Sequence, residues 1–162
     1  MDIEILEKLE KEDKKLASLN SRVLAHFIDT IICSLLIYFL IVFFFNDNDI
    51  EKIRFAMQNQ DIEQINIFLL KIMKMYIVIK FFYLSLFFYM YGATLGNLIT
   101  KTKIVNYEHL DSPNLFESLN RALVFMICEI FLNGVLFLLV FTNKTRRHLA
   151  DLASKSVVIK VD

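Results

Sequence analysis

Arg22, His26, Asp29 and Cys33 are separated by four, three and four residues. That spacing puts all four side chains on one face of a helix. They open a long apolar run, and two further charges, Lys80 and Glu129, sit near the middle of two others, with Asn133 polar close by. Ionisable groups in apolar surroundings are costly, and they pair with one another or serve an ion or proton path. Two chemistries follow. A carboxylate such as Asp29 can bind a proton or small cation when it is reachable from one side. Alternatively, the charges pair, for example Lys80 with Glu129 or Asp29, and lock the packing of the helices. Asp29 lies about 10 Å along the helix from Arg22, so the two meet only if Arg22 reaches inward. A metal site is not expected, since His26, Asp29 and Cys33 lack a fourth ligand.

The elements that position these residues are read from hydropathy. The chain has 162 residues, 56% hydrophobic, with 16 Phe, 3 Gly and 1 Pro, and a mean hydropathy of +0.50. Three apolar segments, at about 23–45, 67–91 and 119–141, are long enough to cross a bilayer core of about 30 Å. They lack the alternation of barrel strands, so the expected fold is an all-α integral membrane protein with three membrane-embedded helical segments. Residues 1–20 predict an amphipathic helix, with Ile5, Leu6 and Leu9 at helical spacing and Glu4–Lys8 and Glu7–Lys11 at i,i+4. It reads as a solvated tail or as an interfacial helix, ahead of one membrane domain over 21–162. No small-residue cleavage site follows the first run, so no cleaved signal peptide is expected.

Charge and β-propensity set the topology. The connecting loop at 46–66 carries five acids, Asp47, Asp49, Glu51, Asp61 and Glu63, whereas basic residues gather before the first run and after Phe141. The positive-inside rule places both ends in the cytoplasm and 46–66 outside. Residues 99–107 and 156–161 are the two β-rich stretches, and pairing them requires one side of the membrane. With three simple spans the ends would lie on opposite sides, so the third segment is expected to re-enter or break at Asn133-Gly134.

Several functions are excluded. The charge balance of 18 basic to 18 acidic residues does not suit a nucleic-acid binder. No phosphate loop, Rossmann glycine pattern, His-Glu-x-x-His or nucleophile elbow is present. An enzyme, a bound cofactor and a catalytic residue are therefore not expected. Cys33 and Cys128 lie in apolar runs, which does not suit a disulfide scaffold.

The motifs together resemble the RDD family of small bacterial membrane proteins. The resemblance rests on Arg22 followed seven residues later by Asp29, on Gly92-Ala-Thr94-Leu95-Gly96-Asn97 leading to Ile104-Val105, on Arg121, and on Arg146-Arg147, Asp151 and Ser156-Val157-Val158. Asn97, Ala150 and Lys155 stand where the family usually has Lys, His and Gly. The resemblance implies that Arg22, Asp29 and Asp151 are the eponymous residues. It also implies a transport role, including cation/proton exchange. Physically, Arg22 can hold Asp151 near the membrane surface, and Gly92 and Gly96 suit a helix end and close backbone approach. The expected protein sits in the bacterial inner membrane and works as an oligomer or with a partner membrane protein, with a proton or small cation as its ligand. An accessory or assembly subunit of a larger membrane complex is the alternative.

Overall fold

A computed structural model describes residues 2–132 and 144–161. The elements run α1 (Asp2–Lys11), α2 (Leu19–Phe44), α3 (Asp47–Gln58), α4 (Ile62–Tyr91), α5 (Leu95–Ile99), β1 (Thr102–Asn106), α6 (Leu115–Leu132), α7 (Leu149–Ala153) and β2 (Ser156–Lys160). They fall into two compact units, Met1–Asp29 with Phe81–Asp162, and Thr30–Lys80.

Among the described residues one helix, α2, is long and apolar enough to cross a membrane, with a mean hydropathy of 2.5 over its most apolar stretch. Its large side chains face outward, Phe43 at 84% and Phe44 at 73% exposure, a pattern that lipid rather than water would cover. Of the three expected spans, one meets both criteria among the described residues. The segment expected at 67–91 lies in the 30-residue α4. The one expected at 119–141 begins within α6, and its proposed break at Asn133-Gly134 lies outside the described residues.

The expected 46–66 loop is largely helical. α3 occupies twelve of its residues, because Ile50, Ile53 and Ala56 recur at three-residue spacing and Ala56 is buried. Asp61 then accepts from Gln64 N at 3.1 Å and starts α4. Within this unit Phe45 stacks edge-on against Phe68 at 5.5 Å, with Lys71 Nζ 4.4 Å above the Phe45 ring.

In the other unit, β1 and β2 pair antiparallel, with Thr102 opposite Lys160 and Asn106 opposite Ser156. The N-terminal helix is shorter than the expected 1–20. It ends at Lys11, and residues 15–17 run extended along the free edge of β2. Ala17 N donates to Val158 O at 3.0 Å, and Lys160 N donates to Lys15 O at 2.8 Å. α1 is not a free tail. Its Ile5 and Leu9 are buried with Val105, Leu110, Val157 and Ile159, and Asp2 pairs with buried Arg147 at 2.6 Å. Acids in its first turn and lysines in its last complement the helix dipole.

Candidate functional site: two buried carboxylates

Both carboxylates singled out in the sequence are buried in the unit that holds the sheet. Asp29, on α2, meets the turn after α4. There Gly92 adopts φ +62° and ends the helix, a left-handed conformation that glycine adopts without strain. Thr94 caps the short α5, accepting from Asn97 N at 3.1 Å. Gly96 then packs against the α2 backbone so closely that a Cβ would lie 2.1 Å from Ala25 O.

This close approach aims donors at Asp29. Oδ1 accepts from the Tyr83 hydroxyl at 2.6 Å and from Gly96 N at 2.8 Å, and Oδ2 accepts from the Thr94 hydroxyl at 2.6 Å. Each hydroxyl is itself oriented, because Leu95 N donates to the Tyr83 oxygen at 3.1 Å, as Asn97 N does to Thr94. The first three free N–H groups of α5 thus converge on one carboxylate, one directly and two through a hydroxyl. They satisfy a helix end that would otherwise be unpaired. All of Asp29's donors are neutral, and no cation pairs with it among the described residues.

Asp151 has the opposite surroundings. It lies on α7 with its side chain fully buried, and Arg22 Nη1 of α2 donates to Oδ2 at 3.0 Å. Arg121 of α6 pairs with Oδ1, and His148 N donates to Oδ2 at 3.0 Å. Arg22 also reaches Arg146 O at 2.6 Å and Val158 O at 3.4 Å. Arg121 donates to Ser156 Oγ and covers the Phe88 ring at 5.2 Å. One carboxylate therefore ties α2 and α6 to α7, and its two arginines extend the tie to β2. Burial alone would raise the Asp151 carboxyl, but Arg121, His148 and Arg22 outweigh it and hold the group below the usual carboxylate range. Burial lowers His148 to about 4, helped by Arg121, Arg22 and His26 against the pull of Asp151. His148 is then neutral at pH 7, which its Nδ1 requires in order to accept from Ala150 N at 3.0 Å.

His26 stacks on Phe125 at 5.4 Å, and Phe125 stacks on His148 at 5.8 Å. Lys80 is buried in the Thr30–Lys80 unit, donating to the Tyr76 hydroxyl at 2.7 Å. Glu129 is half-buried on α6, and Asn133 lies outside the described residues. Tyr83 was missed, since a tyrosine in an apolar run shows no polar periodicity. The Arg147–Asp2 pair was missed because it spans 145 residues. Lys155, where the family has Gly, sits at φ +48°, which accounts for glycine at that turn.

No curated protein and no solved structure matches the chain. One family model does match, over residues 16–155. That range starts at the strand pairing with β2, takes in both carboxylate clusters and ends at the turn before β2. The chain belongs to the RDD family.

Proposed function

We propose that this small membrane protein is a non-catalytic subunit acting as an oligomer or beside a partner membrane protein, with Arg22, Asp29 and Asp151 building its frame. One observation carries the reading. Both family carboxylates are engaged by groups of their own chain: Asp29 accepts from Tyr83, Thr94 and Gly96, and Asp151 accepts from Arg22 and His148 N and forms an ion pair with Arg121. A carboxylate held by oriented donors works as a fixed strut. The basic residues around the sheet and the acids of 46–66 support a bacterial inner-membrane topology with the N-terminus in the cytoplasm. The test is extraction of tagged protein from native membranes in a mild detergent after brief crosslinking. A stoichiometric assembly larger than one chain is expected. A lone chain recovered under every mild condition would overturn the reading.

A second reading is favoured by the absence of any cation among Asp29's described partners. Asp29 would then be the coupling carboxylate of cation/proton exchange, with a small cation supplying the missing charge. This reading requires cation-dependent proton flux that disappears in Asp29→Asn.

A further inference from the structure

The face of the sheet beneath α1 has the chemistry of a helix-binding groove. Its floor is Val105, Leu110, Val157 and Ile159, with Tyr107 packed at the margin. Beside the first turn of α1 stands Arg147, 2% exposed. Its guanidinium lies over the Tyr107 ring at 5.4 Å, and its Nε donates to Thr145 Oγ1 at 2.9 Å. A buried guanidinium is costly unless it is paired, and Asp2 of α1 meets it at 2.6 Å. Asp2, Ile5 and Leu9 lie on one face of α1 by their spacing. The groove therefore reads a carboxylate in the first turn and apolar side chains behind it. It also takes a cation, since Lys8 Nζ donates to Glu108 O.

α1 is held in this groove by few contacts. A helix of 10 residues is too short to keep its shape in water by itself, so docking is what holds it folded. Ile5 and Leu9 are its buried residues, and its remaining length faces outward. The Asp2 side chain is 28% exposed, which leaves the pair with Arg147 open to solvent. Residues 12–14 join α1 to the edge of the sheet, with Glu12 and Asp13 exposed and Asp13 at φ +50°. Segments with few buried contacts open before the core does. The family match begins at residue 16 and so excludes α1, but it takes in Tyr107 and Arg147. The buried cation thus belongs to the matched part of the chain, and the carboxylate of Asp2 does not.

We propose that this face is a docking site for an amphipathic helix of a partner protein that carries a carboxylate in its first turn, and that α1 is the strap occupying the site until the partner displaces it. The proposal rests on the reading of the chain as a subunit beside a partner. Arg147 selects the carboxylate, and the apolar floor selects the residues that follow it at helical spacing. α1 swings away about residues 12–14 while 15–17 stay paired with β2, and the incoming helix covers the floor again.

The experiment follows the fluorescence anisotropy of a labelled peptide of residues 1–14, standing in for the partner helix, added to the full chain in mixed micelles and to empty micelles. In one form of the chain, Ile5→Asp and Leu9→Asp release its own α1. The released chain should bind the peptide saturably and at least about tenfold more tightly than the unmodified chain, whose tethered α1 competes. Asp2→Asn in the peptide should weaken binding about tenfold, the loss expected of a hydrogen bond between charged groups. Glu7→Gln, on its exposed face, should change nothing. Should the released chain misfold, amide exchange in the unmodified chain still decides, because α1 should exchange at least about tenfold faster than β1 and β2. No binding by a folded released chain, no effect of Asp2→Asn, or α1 exchanging only together with the sheet would overturn the proposal. A complex of released with unmodified chain as tight as that with the peptide would put a second copy's α1 in the groove and overturn the partner assignment, as would displacement of the peptide by phosphatidylglycerol. These outcomes are independent of the assembly recovered from native membranes, which tests the underlying reading separately.

Discussion

Asp151→Asn is the sharpest perturbation of the frame. It keeps the shape of the side chain and removes the one negative charge between Arg22 and Arg121. Arg22 alone, with its nitrogen 3.0 Å from the carboxylate, contributes an attraction of about 4 kcal/mol for charges about 4 Å apart at an effective dielectric of about 20. Desolvation offsets part of this in the intact pair, but the variant leaves both guanidiniums buried without their carboxylate. Breaking a buried pair in this way costs about 3–5 kcal/mol, a large share of the roughly 5–15 kcal/mol that holds a domain folded. Arg22→Met first removes one of the cations, so Asp151→Asn in that background should cost about 1.5 kcal/mol less. The difference is a coupling energy within the range for residues in contact. Reversible unfolding in mixed micelles, followed by far-ultraviolet circular dichroism and tyrosine emission (the chain has 6 Tyr and no Trp), measures all four proteins. A loss below about 1 kcal/mol for Asp151→Asn, or a coupling below about 0.5 kcal/mol, would refute the reasoning.

Other predictions follow from individual contacts. His148 is held near 4 in the folded chain and titrates near 6.5 when unfolded. Unfolding therefore takes up a proton as pH falls from about 6.5 to 4, and stability declines over that window by on the order of 3 kcal/mol. His148→Asn keeps a capping side chain and should flatten that part of the pH profile measured by micelle unfolding. The Asp151 contribution persists lower, because a depressed carboxyl loses its stabilisation only below the ordinary carboxylate pKa. Gly96→Ala should cost more than 3 kcal/mol in the same assay, since its Cβ meets the Ala25 backbone at 2.1 Å rather than a side chain that can turn away. Lys155→Gly relieves a residue at φ +48° and should stabilise by up to about 1 kcal/mol, read as a higher midpoint. Leu9→Ala should cost about 2–5 kcal/mol and speed amide exchange in β1 and β2, which α1 covers.

Much of this arrangement is legible in the sequence, for reasons tied to period and propensity. Arg22 and Asp29 share a helix face by spacing alone, and 99–107 and 156–161 stand out as β-rich in a helical chain. Gly92 and Gly96 mark a turn. What escapes is whatever depends on distant register. Tyr83 donates to Asp29 across 54 residues, and nothing in its apolar neighbourhood separates it from Tyr89 or Tyr91. α3 hides in an acidic linker because its apolar positions are few. The sheet edge occupied by residues 15–17 depends on pairing with β2 and appears only in the folded chain. The α1 periodicity is visible, but what its apolar face covers is not.

The central claim is that the RDD carboxylates are struts. Asp29→Asn suits a direct test because it should fold. An amide nitrogen in place of Oδ2 can donate to the Thr94 oxygen, which has a second lone pair, so the cost is about 1 kcal/mol. The measurement is proton flux in proteoliposomes carrying a pH gradient, on addition of sodium or potassium, for the wild-type chain, the Asp29→Asn chain and empty vesicles. The account predicts that all three behave alike, with both proteins equally well folded. Cation-dependent flux by the wild type, lost in a folded Asp29→Asn protein, would contradict it.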